Sequence, residues 1–276
     1  KGYSFSTVKQ TYNLLNGYFD YLMREEFIKK NPMNAVPTIK KSNYLAKQNK
    51  EVLPVCETIT VFTDEEIEKF KAEAYKKYPS GKPKHSQASA YILMLNTGLR
   101  TAEALGLINS DIDLEKKVMH IQRGVKEAQK RDGTERKSGR EIVVGKLKTA
   151  SSKRIVPLNE TAMQAIIELR NERYFGEDAP LIPDADGNFT RPLNLRKRFY
   201  SILDAAGIEK KGLHSLRHTF ATKLVTGVRA DDGTVKALTP RQVADLLGHT
   251  TSEITEMYYV KRNTDMLLGV TNGFEL

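Results

Sequence analysis

Two hundred and seventy-six residues are too many for one compact core and few for three, which favours one large and one small domain. A hydrophobic fraction of 39% and a charged fraction of 28%, with no run near the roughly 18 apolar residues a membrane span needs, exclude a membrane protein and a wholly disordered chain. The balance of 44 Lys+Arg over 34 Asp+Glu leaves +10, which points to a polyanionic partner such as nucleic acid.

Val8, Tyr12, Leu15, Phe19 and Leu22 recur at steps of four and three and predict a helix over about 6–26. Asn31-Pro32 stops that pattern, and the stretch that follows is rich in lysine (Lys40, Lys41, Lys47, Lys50) and reads as a linker able to lie along a phosphate backbone. One helix cannot bury its own stripe, so residues 1–57 are expected to be part of a helical unit and its linker, with 58–276 as the larger domain. The chain opens on Lys1, which reads as a fragment with further sequence upstream.

A second unit opens at Thr63, a helix cap backed by Asp64, Glu65 and Glu66 in the first turn. The next predicted helix, 86–96, ends at Gly98. Strands are expected at 118–123, 141–147 and 153–158, with Asp132-Gly133 as a hairpin turn between the first two. Helices then fill the chain at 160–173, 193–206, 215–226 and 240–247, the last behind Thr239 with Pro240 at its first position. The fold class is therefore mainly α with a small antiparallel β-sheet.

Between Arg123 and Arg154 eleven basic residues face four acids, a net of +7 in one protruding hairpin. Such a run is often only a solvated face. Concentrated in a ribbon, it can track phosphates or enter a groove, and Lys126, Lys130, Arg131, Arg136, Lys137 and Arg140 are the expected DNA contacts. Cys56 is the single cysteine, so neither a disulfide within the chain nor a cysteine-rich zinc site is available, which fits a reducing cytoplasm. His214 and His218 share one helical face, but the catalytic zinc motif needs Glu where Ser215 stands, and no metal is expected. A nucleotide loop also fails: five residues rather than four separate Gly139 from Gly145-Lys146, and Leu147 occupies the Ser/Thr position.

Five segments carry residues that packing alone does not ask for: 97–103, 147–149, 214–218, 247–249 and 257–259. Taken together, their order Arg100, Lys148, His214 with Arg217, His249 and Tyr258 resembles the tyrosine recombinases, or phage-type integrases, with Tyr258 nine residues after His249 as in that family. The resemblance implies a tyrosine recombinase catalytic domain preceded by a partial helical core-binding domain, and is nearest to integrases of integrative and conjugative elements. It implies double-stranded DNA as substrate, cleaved and rejoined through a 3'-phosphotyrosyl bond without a cofactor, for integration and excision of a mobile element. On this resemblance Tyr258 is the nucleophile, His214 its base and Lys148 the general acid. Arg100, Arg217 and His249 hold the phosphate, and Glu103 and His218 support the site.

The resemblance further implies a dimer on each site and a tetramer in the synapse, and admits an excisionase. The apolar tail 263–276 docks on its own domain or, as the family suggests, on a neighbouring subunit. A type IB topoisomerase, a non-enzymatic DNA-binding regulator and a metal-dependent nuclease are the rival readings.

Overall fold

The computed structural model describes residues 3–46, 59–133, 135–146, 153–229, 235–249 and 251–259, and the backbone alone of 131, 136, 137, 146, 228, 229, 235, 254 and 257–259. Contacts divide the chain into two compact units, Lys1–Glu57 and Thr58–Leu276.

In the first unit, α1 (Phe5–Arg24) starts at Ser4, whose hydroxyl accepts from the Thr7 amide. None of its side chains is buried: along its apolar stripe Val8, Tyr12, Phe19 and Leu22 are half-buried and Leu15 is exposed. Asn31 ties the following turn (Pro32–Ala35) to α1 by donating to Asp20 Oδ1 at 2.7 Å, while its own Oδ1 accepts from the Met33 amide. The lysine-rich stretch expected as linker contains a short helix, α2 (Lys41–Ala46). Tyr44 is the reason: its ring packs on Phe5 and its hydroxyl donates to the Tyr3 carbonyl at 2.6 Å.

The second unit begins with α3 (Asp64–Ala74), closed at its start by a reciprocal Thr63–Glu66 capping box. Helix α4 (Ser89–Thr97) is apolar all round and lies at the centre of the core. It begins three residues later than the sequence suggests, because Gln87 takes a left-handed φ of 56° and donates its amide to the Glu172 carboxylate. Phe62, Phe70, Tyr91 and Phe199 form an aromatic cluster, with the Tyr91 hydroxyl donating to the Leu195 carbonyl at 2.8 Å. After α5 (Thr101–Gly106) come β1 (Ile112–Asp113), β2 (Val118–Ile121), β3 (Arg123–Asp132), β4 (Glu135–Lys146) and β5 (Arg154–Pro157).

The strand pairing differs from expectation. β2 pairs antiparallel with β1 and β5, with His120 opposite Ile155, whereas β3 and β4 form a separate two-stranded ribbon. The chain changes sheets at Gln122, where Gln122 and Arg123 both bond the Asp111 carboxylate, Arg123 Nη1 at 2.6 Å. Helices α6 (Glu160–Glu172), α7 (Pro192–Ala205) and α8 (His214–Thr226) complete the main body. A small ribbon of β6 (Val228–Arg229) and β7 (Val235–Lys236), not foreseen from sequence, precedes α9 (Pro240–Leu247) and α10 (Ser252–Tyr259). Among the described residues, no helix is long and apolar enough to cross a membrane.

Candidate active site

The site forms where two helices end. Helix α4 stops at Gly98 (φ +64°), where a Cβ would lie 2.5 Å from the Phe220 ring, so only glycine fits the turn that delivers Arg100. Helix α9 stops at Gly248 (φ +66°), which turns the chain to present His249. A helix leaves its last carbonyls without internal partners and carries partial negative charge there. Three arginines from three segments answer the end of α9. Arg217 Nη2 donates to the Leu247 carbonyl at 2.8 Å, Arg154 Nε to the Leu246 carbonyl at 2.8 Å, and Arg100 Nη1 reaches Leu247 at 3.4 Å.

Arg217 is 1% exposed. Its Nη1 donates to the Gly98 carbonyl at 2.7 Å and its Nη2 lies 3.0 Å from His249 Nε2, so this one side chain joins the ends of both helices. Arg100 is more open, with 37% of its side chain exposed. Glu103 underlies it: one carboxylate oxygen takes Arg100 Nη1 at 2.7 Å and the other takes the Arg100 amide at 2.9 Å. Arg154 grips the same carboxylate through Nη1 at 3.2 Å and Nη2 at 2.9 Å. Burial alone pushes the Glu103 carboxyl up, but Arg154 and Arg100 overcome this and hold it down at about 2.

Because Arg217 can only donate, His249 Nε2 accepts and Nδ1 carries the proton, pointing to Thr255 Oγ1 at 2.9 Å. Desolvation, then the charges of Arg217, Arg100 and Arg154, push the His249 pKa down to about 4. The His214 pKa is also lowered, by loss of hydration and by Arg217 and Arg100. His218 stands edge-on to His214 with ring centroids 4.6 Å apart, and burial and its neighbours push it down to about 4. All three imidazoles are thus neutral at pH 7, able to accept a proton or to share one.

Arg100, Glu103, Arg217 and His249 are therefore joined by direct contacts at the ends of α4 and α9, and His214, with His218 against it, lies near enough for the Arg217 and Arg100 charges to act on it. Tyr258 lies on α10, whose buried Thr255 contacts His249, but its side chain falls outside the described residues, as does all of Lys148. In the hairpin, Lys126 is exposed beside His214, where both line a concavity of about 560 Å³ with Tyr200 and Arg196. Lys130 and Arg140 are exposed along the ribbon, and Arg140 lies 3.8 Å from Glu127. Arg131 and Arg136 face each other in the ladder, but their side chains and that of Lys137 lie outside the described residues. Among the described residues, no group of three or more His, Cys, Asp or Glu is placed to hold a metal ion.

Arg154 and Thr255 belong to the site although sequence reasoning did not single them out. Arg154 had a signal: it shares strand parity with buried Val156, which puts an arginine on the inward face.

The mainly helical domain with its short antiparallel sheet has the fold of a tyrosine recombinase catalytic domain. Residues 60–265 match the phage integrase family, and the chain belongs to it. A tyrosine recombinase XerC-like protein of Caldanaerobacter subterraneus subsp. tengcongensis is 31% identical over 94% of this chain, and the chain spans 63% of that relative's length. A transposase from transposon Tn916 of Enterococcus faecalis is 24% identical over 96% of the chain, which covers 60% of it. Among solved structures, the Tn1549 transposon integrase in complex with circular intermediate DNA superposes with a TM-score of 0.71 at 19% identity, over 99% of this chain and 81% of that one. The XerH site-specific recombinase bound to difH substrate gives 0.62 at 23% identity, over 100% and 67%.

Proposed function

We propose that this chain is the core of a site-specific DNA recombinase that cleaves and rejoins DNA through a 3'-phosphotyrosyl bond, for integration and excision of a mobile element. The observation that carries the reading is Arg217, which joins Gly98, Leu247 and His249 and so draws the separated segments of the ordered set around one point. The family supports the chemistry, and the relatives named for transposons support the mobile element.

A phosphodiester is an anion, and attack on it adds charge, so cations must be in place beforehand. Arg100 offers its open guanidinium to the non-bridging oxygens, with Arg217 beneath it. Removing one such donor typically costs about 3–4 kcal/mol of barrier. The tyrosine phenol, with a reference pKa near 10, needs a base. Neutral His214 takes that proton as Tyr258 Oη bonds phosphorus. The bond from phosphorus to the 5' oxygen breaks, and that oxygen leaves as a hydroxyl with a proton from Lys148. A phosphate arriving beside Arg217 competes for the N–H now given to His249 and raises the imidazole pKa, so Nε2 gains a proton and becomes a donor. The phosphotyrosyl bond retains the energy of the original linkage, so a second 5' hydroxyl reverses the step without a nucleotide cofactor.

In this reading the substrate is double-stranded DNA, held by two subunits per site and four in the synapse, the tail 263–276, which lies outside the described residues, couples neighbouring subunits, and the family admits an excisionase. Deleting 263–276 is expected to alter tetramer assembly; unchanged synapsis removes the tail from this account. The activity is tested by incubating a nicked duplex spanning the element's end with the protein in EDTA, then running a denaturing gel. A covalent band is expected, absent with Tyr258→Phe. A band that survives Tyr258→Phe, or no cleavage until a divalent ion is added, overturns the proposal.

A further inference from the structure

The Arg154 side chain is 7% exposed, and its donors are directed inward. Nη1 and Nη2 fork onto the two oxygens of Glu103, and Nε donates sideways to the Leu246 carbonyl. Glu103, itself 2% exposed, in turn holds both the amide and the guanidinium of Arg100. Leu246 lies one residue before Leu247, whose carbonyl receives Arg217, and three before His249. A single guanidinium thus fastens the first residue of β5 to the start of α5 and to the end of α9.

We infer that Arg154 is a positioning residue for the cleavage step, a clamp that sets Arg100 through Glu103 and sets His249 through the end of α9. This rests on the strand-exchange reading. A planar fork with a third, lateral donor serves both carboxylate oxygens and a separate carbonyl at once, a geometry that the compact ammonium of a lysine does not reproduce. The charge balance fits the same role. One carboxylate shared by two arginines leaves Arg100 with surplus positive charge for an anion, whereas Arg154 is spent within the protein.

Full-length Arg154→Lys keeps the cation and loses the fork, and is compared with wild type, Glu103→Gln and the double variant. Three quantities are read: affinity for the nicked duplex spanning the element's end, the rate of covalent adduct at saturating duplex, and amide hydrogen exchange of 244–249 against 89–97. With Arg154→Lys, affinity is expected to stay within about threefold while adduct formation falls about tenfold to a hundredfold, the scale of a small misplacement of catalytic groups. Exchange quickens at 244–249 and not in the core helix, and the double variant is no slower than the slower single one, because the residues act as one unit.

Adduct formation within about twofold of wild type, a parallel loss of affinity and rate, or multiplicative losses in the double variant each overturn the clamp. Should wild type form no adduct, the strand-exchange reading fails instead, and exchange at 244–249 still decides: unchanged protection overturns the clamp, and local loss upholds it. If Arg154→Lys does not fold, Arg154→Gln combined with Glu103→Gln leaves no lone buried charge and takes the same measurements.

Discussion

Thr255 shows how one buried hydroxyl receives a proton whose place Arg217 sets. Its Oγ1 accepts from His249 Nδ1, which leaves Nε2 to face Arg217 and, in the proposed reaction, the scissile phosphate. Thr255→Val keeps the shape and removes the acceptor. The expected cost is about 1 kcal/mol of stability, the net worth of one neutral hydrogen bond. Adduct formation should fall about tenfold, with duplex affinity unchanged, because a correctly placed acid or base contributes about a hundredfold or more. Imidazole nitrogen shifts in the folded protein report the tautomer directly, and an Nε2–H form in the wild-type protein would sink the assignment. At this scale the sequence was informative about the charged set and silent about its supports. Arg100, His214, Arg217 and His249 are legible because ordered charged residues are rare, whereas a threonine in a polar helix and an arginine among hairpin cations look ordinary until burial is known.

Helix ends were the most legible elements. Thr63, Asn159 and Thr239 each cap the helix that follows, their side chains accepting from Glu66, Ala162 and Gln242 amides. Strand partners were less so, because partner choice depends on contacts far apart in sequence: β2 abandons the hairpin for β5 at a carboxylate, Asp111, eleven residues before Gln122. The ribbon's base is seated through Gly106, where a Cβ would meet the Arg123 carbonyl oxygen at 2.7 Å. Gly106→Ala pits side chain against backbone and should cost about 1–3 kcal/mol, read as a lower urea midpoint. An unchanged midpoint would mean that the ribbon rides loosely on α5. If the ribbon grips phosphates, reversing charge at Lys130, Arg131, Arg136 and Lys137 should flatten the log–log salt dependence of binding by about 0.9 per lost contact. An unaltered slope takes the ribbon off DNA.

For the whole molecule, acid is the sensitive axis. His218 and His249 have folded pKa values pushed down to about 4 from 6.5. Between those values the unfolded chain binds more protons than the native one, so stability rises with pH across that window and is lost as pH falls through it. Glu103, at about 2 against 4.5, has the same sign at lower pH, since its stabilisation is full above 4.5 and disappears as pH falls toward 2. Stability should therefore fall from about pH 6.5 downward, by up to about 1.4 kcal/mol per pH unit for each histidine and read as a declining melting temperature, and His218→Phe should make the upper part of that decline shallower. A flat profile from pH 7 to 4 would contradict the burial of these rings.

The β3–β4 ribbon has a colloidal consequence. Among the described residues it pairs with no third strand, so neither border is covered by a neighbouring strand, although Gln129 and Arg191 donate to the Gly139 and Arg140 carbonyls, and Val143 and Val144 of β4 lie exposed. Unpaired borders of this kind are templates for stacking between molecules, and like charge along them is the usual deterrent. In DNA-free protein, concentrated salt damps that mutual repulsion. The purified chain should consequently be soluble at moderate salt and drift toward filaments or precipitate at high salt, with neutral substitutions in the ribbon lowering the threshold.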